Sequence, residues 1–187
     1  MATTPGTVVS DPVAVRPMQL NQVEHLLKLQ KWARKTTSIL DLDELISKIV
    51  DDVAAAFLCV ETTIYLHDEE RGELEMSGVH GCTLHGKGSR LKVGKDGMVG
   101  YVASTRQMRY APDVRQDPYY IACEESTRSE VAIPLLVDGR LVGVFAASHH
   151  DLDGFSREHL RWLQSLCDHV AVAVHNARRF QHERHER

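Results

Sequence analysis

The stretch Glu130 to Ser148, Glu-Val-Ala-Ile-Pro-Leu-Leu-Val-Asp-Gly-Arg-Leu-Val-Gly-Val-Phe-Ala-Ala-Ser, decides the architecture. At its centre, Asp138-Gly139 is a dipeptide of tight two-residue turns, in which both central positions take positive φ. The flanking arms, Glu130–Val137 and Arg140–Ser148, are therefore expected to pair as a β-hairpin. Both arms are apolar at nearly every position, so neither shows the alternation of a strand with one wet face. Such a hairpin belongs in the middle of a sheet, with helices on one face and other covering material on the second.

After the hairpin, Ser156 is placed to cap a final helix carrying Leu160, Leu163, Cys167, Val170, Val174 and Ala177 at alternating spacings of three and four. That is a narrow seam of the coiled-coil kind, and Leu166, Ala173 and Phe180 supply a second apolar edge. One edge is expected on the sheet, while Leu163, Val170, Val174 and Ala177 are candidates to meet a second copy of the chain. The helix runs out through Arg-Arg-Phe-Gln-His-Glu-Arg-His-Glu-Arg without a glycine or proline stop. Residues 181–187 then read as a helical tail or the start of a connector.

Ahead of the hairpin, residues 1–18 hold Pro5, Pro12 and Pro17 with little periodic pattern and read as a disordered arm. Residues 19–40 carry a helical stripe of Leu20, Val23, Leu26, Leu27, Leu29 and Ala33, of which Leu26, Leu29 and Ala33 are further dimer-helix candidates. A domain core over residues 41–180 follows. Asp41 and Glu44 form a capping box before the apolar face Leu45, Ile46, Ile49, Val50, Val53 and Phe57. Thr62–Leu66 and Leu74–Val79 read as strands about the polar turn Asp68–Gly72, and Ser89–Val93 as another. Asp96 is the expected cap of a short helix. Met108–Ala111 closes as a short strand, and Pro112–Thr127 is a long connection.

The 187 residues are 43% hydrophobic and 26% charged, an ordinary globular balance for a single domain with extensions. No apolar run approaches the roughly 20 residues of a spanning helix, and the opening residues lack the basic and apolar blocks of a signal peptide. A cytoplasmic location without membrane contact is the expectation. The formal charge of -4 argues against direct nucleic-acid binding. Cys59, Cys82, Cys123 and Cys167 show no zinc-site spacing. Cys59 and Cys167 read as core, whereas Cys82 and Cys123 sit in loop-like surroundings. The eleven histidines show no HxxxH ligation with a supporting carboxylate, so neither a metal nor a cofactor is expected.

Several segments occur together, in order: Gly94-Lys-Asp-Gly-Met-Val-Gly-Tyr-Val-Ala, Pro112-Asp-Val-Arg-Gln-Asp-Pro-Tyr-Tyr, Thr127-Arg-Ser-Glu-Val-Ala-Ile-Pro-Leu and Asp138-Gly-Arg-Leu-Val-Gly-Val-Phe, closed by Phe155-Ser-Arg-Glu-His-Leu. The combination, over roughly residues 25 to 180, resembles the GAF sensory domains. That resemblance implies an α+β fold: a six-stranded antiparallel sheet with the N- and C-terminal helices on one face and a ligand pocket on the other. It places Tyr65, Met98, Tyr101, Tyr120, Cys123, Arg128 and Phe145 as pocket candidates for an unidentified small ligand. It implies a homodimeric signalling sensor acting through its terminal helices on an output domain or partner, without catalysis. A purely structural dimerisation module is another reading.

The segment Tyr120-Ile-Ala-Cys-Glu-Glu-Ser-Thr-Arg-Ser-Glu also resembles free methionine sulfoxide reductases at their redox cysteine, with Cys123 at the matching position. This is the enzymatic alternative. Against it, Val99 stands where those enzymes have another cysteine, and Cys82 lies earlier than the matched pattern.

Overall fold

A computed structural model describes residues 42–185. The expected arm, the helix over 19–40 with Leu26, Leu29 and Ala33, the Asp41 cap and the last two residues lie outside them. Helix α1 (Leu42–Phe57) is followed by β1 (Glu61–Asp68), β2 (Glu73–His80), β3 (Arg90–Lys92), α2 (Gly97–Thr105) and β4 (Arg109–Ala111). The hairpin β5 (Ser129–Val137) and β6 (Arg140–His149) and the closing helix α3 (Arg157–His185) complete the order. The strands form one antiparallel six-stranded sheet in the order β3-β2-β1-β6-β5-β4.

The hairpin lies at the centre, as its composition requires. Asp138 and Gly139 turn it with φ of 50° and 74°. The period of two then divides β1, β6 and β5 between two cores. Ile64 pairs with Phe145, which pairs with Ile133, and this row faces α1 and α3. Tyr65, Val144 and Ala132 belong to the opposite core, under α2 and the long connection.

The apolar stripe of α1 is buried throughout, from Leu45 to Phe57. Ser156 caps α3, its hydroxyl accepting from the His159 amide at 3.1 Å. Asp96 does not cap α2. Its carboxylate accepts instead from the Lys92 amide at 2.7 Å, which ties the end of β3 to the start of the helix.

The seam of α3 is also corrected. Leu163, Val170 and Val174 are 0%, 2% and 0% exposed within this one chain, and Ala177 packs against the same core. The helix face of the sheet presents Val131, Ile133, Leu135 and Phe145, so the seam finds its apolar partner without a second copy. Leu166 and Ala173 are buried beside it, giving the wide stripe of a core helix. Near its end, Arg178 donates to the His67 carbonyl at 3.0 Å, joining α3 to β1. Among the described residues no helix is long and apolar enough to cross a membrane.

Candidate functional site

On the sheet face away from α1 and α3 lies a cavity of about 100 Å³. Sheet register builds its floor. Glu61 of β1 and Glu130 of β5 both pair with Ser148 of β6, so the two carboxyls emerge on one face from either side of a single strand. Their backbones are therefore two strand spacings apart, roughly 10 Å. Thr63, Tyr65 and Ala146 continue the floor, Met98 and Val99 of α2 form a wall, and Cys123 closes the mouth from the long connection.

Cys82 completes the site from a distant part of the sequence. Gly81, at φ 82°, turns the chain out of β2 where a Cβ would meet the Val60 carbonyl oxygen at 2.0 Å. The turn delivers the Cys82 Sγ to 3.0 Å from the Cys123 Sγ. The donor atoms of Glu61, Cys82 and Cys123 all lie within 4.8 Å of one another.

Burial sets the protonation of this group. Glu130 is pushed up to about 8, first by desolvation and then by the charges of Glu61 and Asp117. Glu61 is also raised by burial, against opposing hydrogen bonds from Cys123 and Cys82. The Cys123 thiol is raised by burial, then by its bond to Cys82 and the Glu61 charge. At neutral pH the site thus holds a carboxylic acid at Glu130 and a protonated thiol at Cys123, with the Glu61 carboxyl beside the two sulfurs. Cys59, pushed up to about 12 by burial, and Cys167, raised by full burial, are inert core residues.

Folded Glu130 keeps its proton to a higher pH than the unfolded chain does, so its contribution to stability is present below about pH 4.5 and is lost as pH rises towards about 8. Glu130→Gln is expected to flatten that decline and to melt above the parent at pH 8–9, by about 5 °C. Thermal scans across pH check this.

The sequence-derived pocket candidates divide. Tyr65, Met98 and Cys123 line the cavity. Phe145 points into the helix-side core, because its register with Ile64 and Ile133 fixes its face. Arg128 donates to the Glu125 and Thr127 carbonyls and holds the loop rather than pairing with Glu130. Tyr120 packs beside the second core without lining the cavity. Tyr101 stacks on Tyr119 at 3.9 Å, with the Arg109 guanidinium over both rings.

Arg109 also donates to Asp117 at 2.8 Å, and that carboxylate is only 6% exposed. This clamp fixes the connection that carries Cys123. Arg109→Ala leaves a nearly buried carboxylate unpaired and is expected to cost about 2–3 kcal/mol. The melting temperature should fall by roughly 5–10 °C.

A family model for the GAF domain matches residues 39–175. The chain belongs to the GAF family. Its fold matches that of solved GAF structures. One is the GAF domain of an Acinetobacter phosphoenolpyruvate-protein phosphotransferase, at TM-score 0.74 and 21% identity, covering 86% of this chain and 96% of that one. Another is the free methionine-R-sulfoxide reductase of Neisseria meningitidis in complex with its substrate, also at TM-score 0.74. It is 24% identical and covers 84% of this chain and 90% of that one. Both likenesses concern the fold. In sequence, this GAF domain is 35% identical over 78 residues to the free methionine-R-sulfoxide reductase of Saccharomyces cerevisiae. That match spans 41% of the chain and 43% of the relative's length.

Glu61, Glu130 and His85 are site residues that the sequence reading does not nominate, whereas Cys82 is weighed there as a second thiol and set aside for its position in the chain. Glu130 had a visible signal, an acid opening an otherwise apolar strand. For Cys82 the loop-like surroundings were visible but the pairing was not, since only the fold brings it to Cys123.

Proposed function

We propose that this GAF domain reduces a small sulfoxide, free methionine-(R)-sulfoxide by preference, with Cys123 as nucleophile and Cys82 as resolving thiol. The observation that carries the reading is the 3.0 Å approach of the two sulfurs at a cavity lined by two carboxyls, Glu61 and Glu130. That approach supports Cys82 in the resolving role that Val99 cannot fill. The cavity, about 100 Å³, is far below the 300–1,000 Å³ of pockets for drug-sized ligands, and suits an amino-acid-sized molecule rather than a nucleotide.

Glu61 takes the Cys123 proton and the thiolate attacks the sulfoxide sulfur, while Glu130 donates its proton to the oxygen. As the sulfur–oxygen bond breaks, the sulfide leaves and the oxygen passes to Cys123 as a sulfenic acid. Cys82 then attacks the Cys123 sulfur, expelling water and closing a disulfide. An external dithiol, of the thioredoxin class, restores both thiols and completes the electron balance.

The test is coupled turnover: NADPH consumption by thioredoxin and its reductase on adding free methionine-(R)-sulfoxide to the purified chain. Absence of turnover rejects the reading. Since Glu130 must hold its proton, kcat/KM is expected to fall about tenfold per pH unit above pH 8, which a pH profile reads directly.

A second reading is favoured by the contact between α3 and β1. Strand β1 carries Glu61 at one end and the His67 carbonyl that holds Arg178 near the other. A sensor that binds without turnover would pass occupancy of the cavity along this strand to the closing helix and an output partner. A ligand-induced thermal shift without NADPH consumption would select it.

A further inference from the structure

We propose that Glu61, Cys82 and Cys123, joined by His85, bind one thiophilic divalent cation of the zinc class. The inference goes beyond the sulfoxide reading and rests on the arrangement of donors alone.

Two sulfurs and a carboxylate oxygen already converge within 4.8 Å, and His85 lines the same cavity. Thiolate, imidazole and carboxylate together suit zinc, whereas calcium and magnesium prefer oxygen donors alone. A tetrahedral ion with bonds of about 2.3 Å to sulfur holds two sulfurs roughly 3.8 Å apart. The present 3.0 Å separation therefore needs to open by less than about 1 Å. That adjustment falls on irregular segments, between β2 and β3 for Cys82 and between β4 and β5 for Cys123, while Glu61 is held in a central strand.

Local geometry prepares the sulfur. The His85 amide donates to the Cys82 Sγ at 3.3 Å, which holds that sulfur in place over its own turn of chain. The spacing Cys82-Thr-Leu-His85 keeps both ligands on one turn of chain. Cys123 adds its sulfur from the connection between β4 and β5. On binding, the cation replaces the two thiol protons, which leave to solvent. No electron is transferred.

Ion and disulfide exclude one another, because each uses the same sulfur electron pairs. A loaded site is thus reduced, protected from oxidants and unable to attack a sulfoxide. Zinc would switch the chemistry off without displacing the fold.

The probe is Co²⁺, added to the reduced full chain without oxygen, with Zn²⁺ then in competition. The expected result is one ion per chain with intense near-ultraviolet thiolate-to-cobalt absorption, displaced by Zn²⁺. Cys82→Ser and Cys123→Ser should each abolish that absorption. Glu61→Gln should weaken binding at least roughly tenfold, the scale seen when a group that merely orients a ligand is removed. His85→Ala alters an exposed side chain and gives a second variant whose folding is not in question. It too should bind at least roughly tenfold more weakly. Prior oxidation to the disulfide should eliminate uptake.

Absence of the thiolate absorption in the reduced parent overturns the proposal. So does uptake that persists unchanged in both serine variants, which would assign the ion to histidines elsewhere. Sulfoxide turnover is assayed with chelator present, so failure of either proposal leaves the other result readable.

Discussion

With serine at position 123, turnover of free methionine-(R)-sulfoxide is expected to fall by roughly 10⁴-fold or more, to the uncatalysed background. The replacement keeps the size of the side chain and removes its only competence. A hydroxyl beside Glu61 is not appreciably ionised, and it cannot accept the sulfoxide oxygen as a sulfenic acid does. Cys82→Ser should behave differently. One equivalent of sulfide per chain is produced in the first turnover, after which Cys123 remains one oxygen atom heavier by intact-mass measurement. Steady-state turnover then stops unless a small thiol is supplied in excess. If the Cys82→Ser variant turns over like the parent, Cys82 is not the resolving thiol.

Gly143→Ala carries the largest expected effect on stability. Gly143 lies in β6 opposite Leu66 of β1, and a Cβ there would meet the Tyr65 carbonyl oxygen at 2.1 Å and the Leu66 Cα at 3.3 Å. Both are backbone atoms of a central strand, so no flexible side chain can move aside. The two strands would have to separate where the hairpin joins the rest of the sheet. Overpacking costs typically about 1–3 kcal/mol, and a backbone clash between central strands falls at the upper end. For a chain of this size the melting temperature should drop by roughly 10 °C. Gly78→Ala is the informative comparison, because its Cβ would meet the Ile46 Cγ2 methyl at 2.3 Å, a side-chain atom of the overlying helix α1 rather than the backbone of a paired strand, so α1 can shift outward without parting the sheet. Equal losses in the two variants would contradict the distinction between backbone and side-chain obstacles.

The fold was legible because its signals are local. Asp138-Gly139, the doubly apolar arms beside it and the change of period at Glu61 each follow from short-range pattern, and all recur in the structure. Face assignment was less legible. Phe145 and Val144 look equally apolar in sequence, and only the register with Ile64 and Tyr65 separates the helix-side residue from the cavity-side one. The seam of α3 misled for a related reason: a three-four spacing states that a helix has a narrow apolar face, not which surface covers it. The site was least legible of all. Glu61 and Glu130 are made neighbours by Ser148 between them, and Cys82 meets Cys123 only because Gly81 redirects the chain.

The two sulfurs also stand at the ends of a long stretch of chain, 41 positions apart, that contains β3, α2 and β4. Joining them would tether that whole excursion in the unfolded ensemble and remove about 4 kcal/mol of its loop-closure freedom. Oxidation would therefore make the domain harder to unfold, and heat resistance itself would become a readout of the cell's thiol balance.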